Sequence, residues 1–393
     1  MANAKSLRRD ASPAGEDKYP MNGVGDPVVH RMKERIAQRA QAMPPTIDLT
    51  QALVAHAPPV DLADLDLRDP ALHRLGPMPG DPMLRQRVAA YRASAFDTPI
   101  SAANVIITAG ANQAFTLAML GLVRGGDDVL LPAPYFFNHA MTVRARGANV
   151  IDVPVSDVTF QPDAETVQAA WTRQTAALVV TDPSNPTGMN LTASSRIGLE
   201  DIVRAHDRWL IVDETYFEFQ YEPREVAPSL ALENTILIGS FSKSLSLSGW
   251  RVGYVIAPER VVEDLLSIQD CTVIAAPTAA QALAVRALER RKEHLATLLP
   301  DLRASKQRVE RALRSCALFD DVRGDAAVFL WARVAGNRPA SAAVDYLFEE
   351  LGIALVPGDS FGAPNHVRVA YGTVSDAEIG DLEQRFRRAR ALS

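Results

Sequence analysis

The 393-residue chain has an apolar fraction of 47%, which is enough for two domains with sizeable hydrophobic cores. Its 41 basic and 47 acidic residues give a formal net charge of -6 without a long basic run, so we expect no nucleic-acid partner. No apolar stretch approaches the about 20 residues that a membrane-spanning helix needs, and no membrane partner is expected.

The first twenty residues are polar and of mixed charge, and they lack the apolar core of a signal peptide or an anchor. This composition predicts a disordered tail over residues 1–20. The two cysteines, Cys271 and Cys316, lie far apart and lack C-x-x-C spacing, which is typical of free thiols in a reducing compartment. We therefore expect a cytoplasmic location, and we predict no metal site.

Short β-rich runs recur through the middle of the chain, mostly separated by segments of helix length. Runs such as 178–180 and 210–212 are continuously apolar, as strands buried on both faces of a parallel sheet are. This pattern predicts an α/β fold whose large domain, residues 51–285, holds a mostly parallel seven-stranded sheet covered by helices. The predicted strands are residues 104–108, 128–132, 148–153, 176–181, 209–213, 235–240 and 252–256.

The chain changes character after Pro277, where charged helical sequence begins. Because the residues before about Thr50 are too few to form a core of their own, we expect them to pack on this C-terminal part. We predict a smaller α+β domain formed by residues 21–50 and 286–393. Its elements are helical sequence over 284–309, strands over 327–334 and 353–356, and a final helix that begins near Ser375.

The most informative residue is Lys243, which follows the predicted strand 235–240 in a serine-rich segment. A lysine can hold an aldehyde cofactor as a Schiff base when burial or a neighbouring cation lowers its pKa. Ser240 and Arg251, on either side of it, are donors suited to a phosphate dianion. The alternative is a solvated lysine in a surface loop. Open α/β sheets bind ligands at strand ends, which favours the first interpretation.

Asp213 ends another apolar predicted strand, where an unpaired buried carboxylate would be costly. A protonated pyridine nitrogen would be a suitable partner, because a pyridinium ring stabilises the carbanion left when a substrate loses its α-proton. Tyr216, three residues later, could donate a hydrogen bond to the phenolic oxygen of such a cofactor. The alternatives are a helix N-cap for Asp213 and simple packing for Tyr216.

A turn at residues 108–113, Thr-Ala-Gly-Ala-Asn-Gln, follows a predicted strand and opens a helix-like run. The amides of Gly110, Ala111 and Asn112 would form a phosphate cradle at the positive end of the helix dipole. An ordinary strand-to-helix turn is the alternative. The chain has no G-x-G-x-x-G motif, which argues against a dinucleotide-binding fold.

Asn185 begins an Asn-Pro-Thr-Gly turn, a type of turn that is common by itself. A functional role for Asn185 is favoured by its place in a series. Asp213 follows 28 residues later and Lys243 a further 30 residues on, each at the end of a predicted strand. Together these segments resemble the class I/II aminotransferases, which are fold-type-I pyridoxal-phosphate enzymes. The resemblance runs from about residue 47 to residue 385.

The resemblance implies a set of contacts to pyridoxal 5′-phosphate within the large domain. It makes Lys243 the Schiff-base lysine and pairs Asp213 with the pyridine nitrogen, while Asn185 and Tyr216 hold the phenolic oxygen. Phe136 takes the position that stacks on the cofactor ring, and a core phenylalanine is the alternative. The phosphate contacts fall on Gly110, Ala111, Asn112, Ser240 and Arg251.

The resemblance also implies the substrate contacts, which are Arg368, Asn185 and Ala52. Arg368, in Val-Arg-Val, matches the arginine that forks onto the substrate α-carboxylate in this family, and a structural salt bridge is the alternative. Ala52 replaces a usual glycine, and Leu75 replaces a tyrosine that reaches the partner subunit's phosphate. Asn112 is not the lysine that some aspartate-type members use for a second carboxylate, so a dicarboxylic specialist is not favoured.

The function that this resemblance implies is amino-group transfer between an amino acid and a 2-oxo acid by ping-pong chemistry, with Lys243 as acid and base. A homodimer with shared active sites is expected. The same residues fit a lyase or biosynthetic cyclase that acts by β- or γ-elimination, and Leu75 and Ala52 keep this alternative open. A ligand-binding regulator is less favoured, because the segment before Ile47 shows no helix-turn-helix pattern.

Overall fold

The computed structural model describes residues 23–39, 44–96, 98–223, 232–336 and 338–389. The tail predicted over residues 1–20 lies outside this part of the chain. The strands are β1 (Ile47–Asp48), β2 (Val105–Thr108), β3 (Asp128–Ala133), β4 (Asn149–Pro154), β5 (Thr175–Thr181), β6 (Trp209–Asp213), β7 (Thr235–Ser240), β8 (Gly253–Ile256), β9 (Phe319–Arg323), β10 (Phe329–Val334), β11 (Ile353–Ala354), β12 (Val356–Pro357) and β13 (His366–Ala370).

Helices cover these strands, and none of those described is both long and apolar enough to cross a membrane. They are α1 (Val28–Gln38), α2 (Pro82–Phe96), α3 (Ala111–Leu122), α4 (Phe137–Ala145), α5 (Ala164–Ala170), α6 (Ala193–Ala205), α7 (Glu259–Thr272), α8 (Thr278–Glu289), α9 (Arg291–Arg314), α10 (Ala340–Leu351) and α11 (Asp376–Arg388).

The large sheet has the order β2-β8-β7-β6-β5-β3-β4. Its neighbouring strands are parallel except at β8, which runs antiparallel to both β2 and β7. The prediction of a mostly parallel seven-stranded sheet is confirmed, with strand ends that differ from the predicted ones by at most one residue. The parallel order places the carboxyl ends of β5, β6 and β7 side by side at one edge.

Successive side chains of the central strands enter two cores on opposite faces of this sheet. Leu178 and Leu210 pack with residues of α2, α6 and α8, whereas Val179 and Ile211 pack with residues of α3 and α7. Because a strand alternates its side chains between faces, a sheet covered on both sides requires the continuous apolar runs seen in the sequence. The helical layers therefore follow directly from the strand composition.

A smaller antiparallel sheet, β12-β13-β10-β9, packs against α9, α10 and α11. Its core includes Met32 of α1 and Leu49, which follows β1. Strand β1 itself pairs with β11 in parallel. The α+β character predicted for this part is confirmed, and the domain bounds of 51–285 and of 21–50 with 286–393 stay predictions.

Three details differ from the sequence-based expectations. The apolar run predicted as one strand over 353–356 is divided between β11, which pairs with β1, and β12, which pairs with β13. The helical sequence over 284–309 falls in two helices, because the chain leaves helical geometry at Arg290. Strand β9 was not predicted. In each case the partner strand or packing surface, rather than the local sequence, decides the outcome.

The turn that begins at Asn185 joins the large sheet to the smaller one. Gly188 has a φ of +70°, and its carbonyl oxygen accepts hydrogen bonds from the amides of Asp325 and Ala326 at 3.0 and 2.7 Å. A Cβ at Gly188 would lie 2.9 Å from the carbonyl oxygens of Ala326 and Phe329. Only glycine fits this contact without a backbone shift.

We expect Gly188→Ala to lower the free energy of unfolding by at least about 1 kcal/mol, because the left-handed backbone and the two carbonyl contacts both oppose a methyl group. Urea unfolding measures the change. Gly380→Ala is the matched control, since Gly380 lies in α11 with open space around it and alanine there should stabilise by about 0.5–1 kcal/mol. Equal effects of the two substitutions would contradict this account of the turn.

Candidate active site

A cavity of about 570 Å³ opens at the carboxyl ends of β5, β6 and β7 and extends to β13. With one exception, every site residue predicted from the sequence lines it. Gly110, the exception, is the N-cap of α3 and directly precedes the lining residue Ala111. The predicted residues in the wall are Ala52, Ala111, Asn112, Phe136, Asn185, Asp213, Tyr216, Ser240, Lys243, Arg251 and Arg368.

Lys243 follows β7 and is largely enclosed. Burial lowers the pKa of its amine to about 8, and the charges of Arg368 and Arg251 act in the same direction, while Asp213 opposes them. The side-chain amine of Lys243 makes no hydrogen bond or ion pair with any residue in the described part of the chain. Since a lysine nucleophile needs a free amine, this environment suits covalent attachment of an aldehyde.

Asp213, at the end of β6, is 5% exposed and has two protein partners. Its Oδ1 accepts a hydrogen bond from the amide of Thr215 at 2.9 Å, and its Oδ2 lies 3.1 Å from Nε2 of His139. Burial opposes the charged carboxylate, but His139 and Thr215 outweigh burial and hold the pKa of Asp213 below its usual value. The carboxylate is therefore ionised and available to a cation in the cavity.

The sequence analysis missed His139. This residue lies in the first turn of α4, where its ring packs against Phe115 at a tilt of 30° with centroids 4.2 Å apart and meets Phe136 edge-on at 5.3 Å. Its position three residues after Phe136 places both on one helix face, which is the signal that could have found it. His139 orients the Asp213 carboxylate from behind the cavity.

A buried cluster of ion pairs holds the end of β6 on the side opposite the Asp213 side chain. Glu214, directly after Asp213, pairs with Arg92, and its other oxygen lies 3.4 Å from Nη1 of Arg196. Arg196 also pairs with Glu200 at 2.8 Å. Adjacent carboxylates thus face different partners, and Asp213 is the one whose side chain reaches the cavity.

Arg368, in β13, is a buried cation without a described carboxylate partner. Its Nη1 donates to Oδ1 of Asn185 at 2.9 Å, its Nη2 donates to the carbonyl of Thr50 at 2.7 Å, and its Nε has no partner. Burial lowers the pKa of its guanidinium to about 10. The rings of Phe329 and Phe361 flank it, each 5.1 Å from the guanidinium carbon. The alternative of a structural salt bridge is not found among the described residues, and the guanidinium remains available to a ligand carboxylate.

Arg251 and the start of α3 form the wall opposite Arg368. The guanidinium of Arg251 donates to the carbonyl of Ser248 at 2.9 Å and to Oγ of Ser242 at 3.5 Å. It lies so close to Gly110 that a Cβ there would be 2.5 Å from Nη2. No side chain caps the first amides of α3, which leaves donors, a helix dipole and a guanidinium around one space suited to a phosphate.

The remaining predicted residues shape the apolar part of the cavity. Tyr216 is 3% exposed, its ring meets Phe329 edge-on at 4.9 Å, and burial raises the pKa of its hydroxyl. Ala52 is half-buried against this cluster, and half-buried Phe136 lies at the N-cap of α4. Leu75, by contrast, is 72% exposed and lies outside the cavity.

Comparison with known proteins agrees with this geometry. Residues 48–386 match the family model for aminotransferase class I and II. An aromatic aminotransferase of Arabidopsis thaliana is 29% identical over 377 residues, 93% of this chain and 94% of that protein. An arginine–pyruvate transaminase of Pseudomonas aeruginosa is 30% identical over 309 residues, 76% of this chain and 77% of that protein. A solved aspartate aminotransferase of Thermus thermophilus superposes with a TM-score of 0.88 at 25% identity, covering 96% of this chain and 100% of that one.

The chain therefore belongs to the class I and II aminotransferases, a family of pyridoxal-phosphate enzymes. It is a transaminase that transfers an amino group between an amino acid and a 2-oxo acid, which was the leading interpretation of the sequence. The relatives carry the names of aromatic, arginine and aspartate enzymes, so their names do not agree on one substrate side chain.

We expect His139→Phe to lower the free energy of unfolding of the cofactor-free protein by about 1–3 kcal/mol at pH 7, because the buried Asp213 carboxylate loses a partner. The lowered pKa of Asp213 means that its ionised form stabilises the fold above the unfolded-state value of about 3.9. This contribution is lost as the pH falls through the folded-state pKa. The difference between wild type and variant should thus shrink in acid.

Urea unfolding between pH 3 and pH 7 measures this difference. Asp213→Asn and the double variant with His139→Phe complete a double-mutant cycle, which isolates the coupling between the two side chains. Strictly additive effects at pH 7 would contradict the assigned partnership.

Proposed function

We propose that this transaminase holds pyridoxal 5′-phosphate in the cavity, with the aldehyde on Lys243 and the ring nitrogen on Asp213. The observation that carries the proposal is the meeting of a half-buried lysine of lowered pKa, whose amine has no described partner, with an ionised aspartate in one cavity. The phosphate would lie at the start of α3, between the amides of Ala111 and Asn112 and the donors of Ser240 and Arg251. Gly110 keeps this space open to the guanidinium.

The bound cofactor supplies an electron sink for the carbanion that forms when the substrate loses its α-proton. Asp213 would hold the ring nitrogen and favour its protonated form, since an ionised carboxylate stabilises a cationic partner. Lys243 takes up the α-proton and returns it, because an amine with a pKa of about 8 serves as both acid and base near neutral pH. Tyr216 and Asn185 would hold the phenolic oxygen, and Phe136 would cover the ring face.

Arg368 would bind the substrate α-carboxylate. One N–H of Nη1 is used by Asn185 and one N–H of Nη2 by the carbonyl of Thr50, while the buried Nε–H has no partner among the described residues. Asn185 therefore has two roles, since it orients Arg368 and faces the cavity itself. Ala52, at the cavity wall, would limit the space next to the substrate.

Lys243→Ala should abolish the visible absorption band of the protein with added pyridoxal phosphate and lower turnover at least about 100-fold, because the acid and base is lost. In the wild type, a suitable amino acid should bleach this band and a 2-oxo acid should restore it. Lys292→Ala, at an exposed position of α9 outside the cavity, is the control and should behave as wild type. An unchanged band in Lys243→Ala would contradict the assignment of this lysine.

We also propose a cytoplasmic homodimer. The large apolar side chains of Leu62, Leu67, Leu75 and Met83 are 54%, 63%, 72% and 51% exposed, and a second copy of the chain would cover such a surface. The two thiols, exposed Cys271 and buried Cys316, are unpaired, as is usual in a reducing compartment.

Leu75→Tyr tests the dimer and the missing phosphate contact together. A hydroxyl that reaches the phosphate across the interface should slow the loss of the cofactor about ten-fold or more, the usual effect of one hydrogen bond to a charged group. Gel filtration after dilution follows the loss of the visible band. Leu67→Tyr is the matched control at a second exposed leucine, and equal retention in both variants would contradict the proposed contact.

A further inference from the structure

Helix α1 lines the mouth of the cavity with one of its faces. Val29, His30 and Lys33, which lie within one turn of each other, contribute to the cavity wall. Met32 lies on a different face and is buried in the core of the smaller sheet. The side chain of Lys33 is thus the cation that the helix brings to the substrate end of the site.

The helix is held in this position from both sides. Nη1 and Nη2 of Arg35 pair with Asp345 and Glu349 of α10 at 2.7 and 2.8 Å. At the other end, Gly25 lies so close to α4 that a Cβ there would be 2.9 Å from Cγ of Met141. These tertiary contacts therefore fix the helix backbone that carries the exposed side chain of Lys33.

The acidic side chains around α1 already have basic partners. Asp26 pairs with Arg31 at 2.7 Å, and Glu34 lies 3.6 Å from the ring of His30. Asp345 and Glu349 are held by Arg35. The side-chain ammonium of Lys33 makes no ion pair or hydrogen bond within the described part of the chain.

The charge of the cavity wall is unbalanced. Asp213 is the one carboxylate among its described lining residues, against the cations Lys33, Lys243, Arg251 and Arg368. In the proposed function, Lys243 binds the aldehyde, Arg251 binds the phosphate and Arg368 binds the α-carboxylate. One cation, Lys33, is left without an anion.

We propose that Lys33 binds a second anionic group at the far end of the substrate, so that this transaminase prefers amino acids and 2-oxo acids with a distal carboxylate. The inference rests on the proposed function. A dicarboxylic substrate was not favoured by the sequence because Asn112 stands where some relatives have a lysine. Lys33 of α1 would supply that missing cation. The excess of cations in the cavity wall opposes a cationic substrate side chain. An apolar substrate side chain would leave the Lys33 ammonium without a partner.

The test compares amino donors of equal length with and without the distal carboxylate: L-glutamate with L-norvaline, and L-aspartate with L-2-aminobutyrate. The wild type should favour the acidic member at one length or both. Lys33→Met keeps the unbranched chain up to the ε position and removes the charged ammonium. This change should lower kcat/KM for the acidic donor about ten- to hundred-fold, mainly through KM, and leave the neutral donor nearly unchanged.

Two further variants separate charge recognition from a structural effect. Lys33→Arg should restore most of the preference. Lys292→Met, at an exposed position of α9, should not alter it. No preference for a distal carboxylate at either length would overturn the inference, as would equal loss for acidic and neutral donors in Lys33→Met. If instead no amino acid bleaches the cofactor band of the wild type, the proposed function itself fails.

Discussion

The buried carboxylate of Asp213 is the charge around which the site is arranged. Burial alone would neutralise it, and His139 together with the amide of Thr215 keeps it ionised. The parallel order of β5, β6 and β7 then brings this carboxylate, Asn185 and Lys243 to one edge of the sheet. The proposed chemistry requires a neutral amine on Lys243 and a charged carboxylate on Asp213. The lowered pKa of Lys243 favours the first, and the hydrogen-bond partners of Asp213 favour the second.

The second requirement is a contribution from outside the large sheet. Arg368 reaches the cavity from β13, and its hydrogen bonds to Asn185 and to the carbonyl of Thr50 join three separate parts of the chain. Helix α1, from the N-terminal part of the chain, lines the same cavity. The substrate end of the site thus depends on how the smaller sheet and α1 pack on the large sheet, whereas Asp213 and Lys243 are placed by strands of the large sheet.

This division explains how far the sequence could predict the molecule. Apolar runs such as 178–180 define buried strands by local composition, and Asp213 and Lys243 stand out because each follows such a strand. His139 carries no comparable signal, because its role arises only when α4 packs over the end of β6. Lys33 was missed for the same reason: an exposed lysine on an amphipathic helix is ordinary until the cavity beside it is known. Strand β9 reads Phe-Asp-Asp-Val-Arg, without a continuous apolar run or a strict alternation, and its pairing with β10 decides its conformation.

The most direct test of the central claim is a measurement of the pKa of Lys243 in the cofactor-free protein. Competitive labelling of lysine amines with trace acetic anhydride, read by peptide mass spectrometry across pH 6 to 11, gives the titration of each lysine in the same sample. We predict a pKa of about 8 for Lys243. A value near 10.4, the ordinary pKa of a lysine, would contradict the account, because the amine would then be protonated and unable to attack at neutral pH.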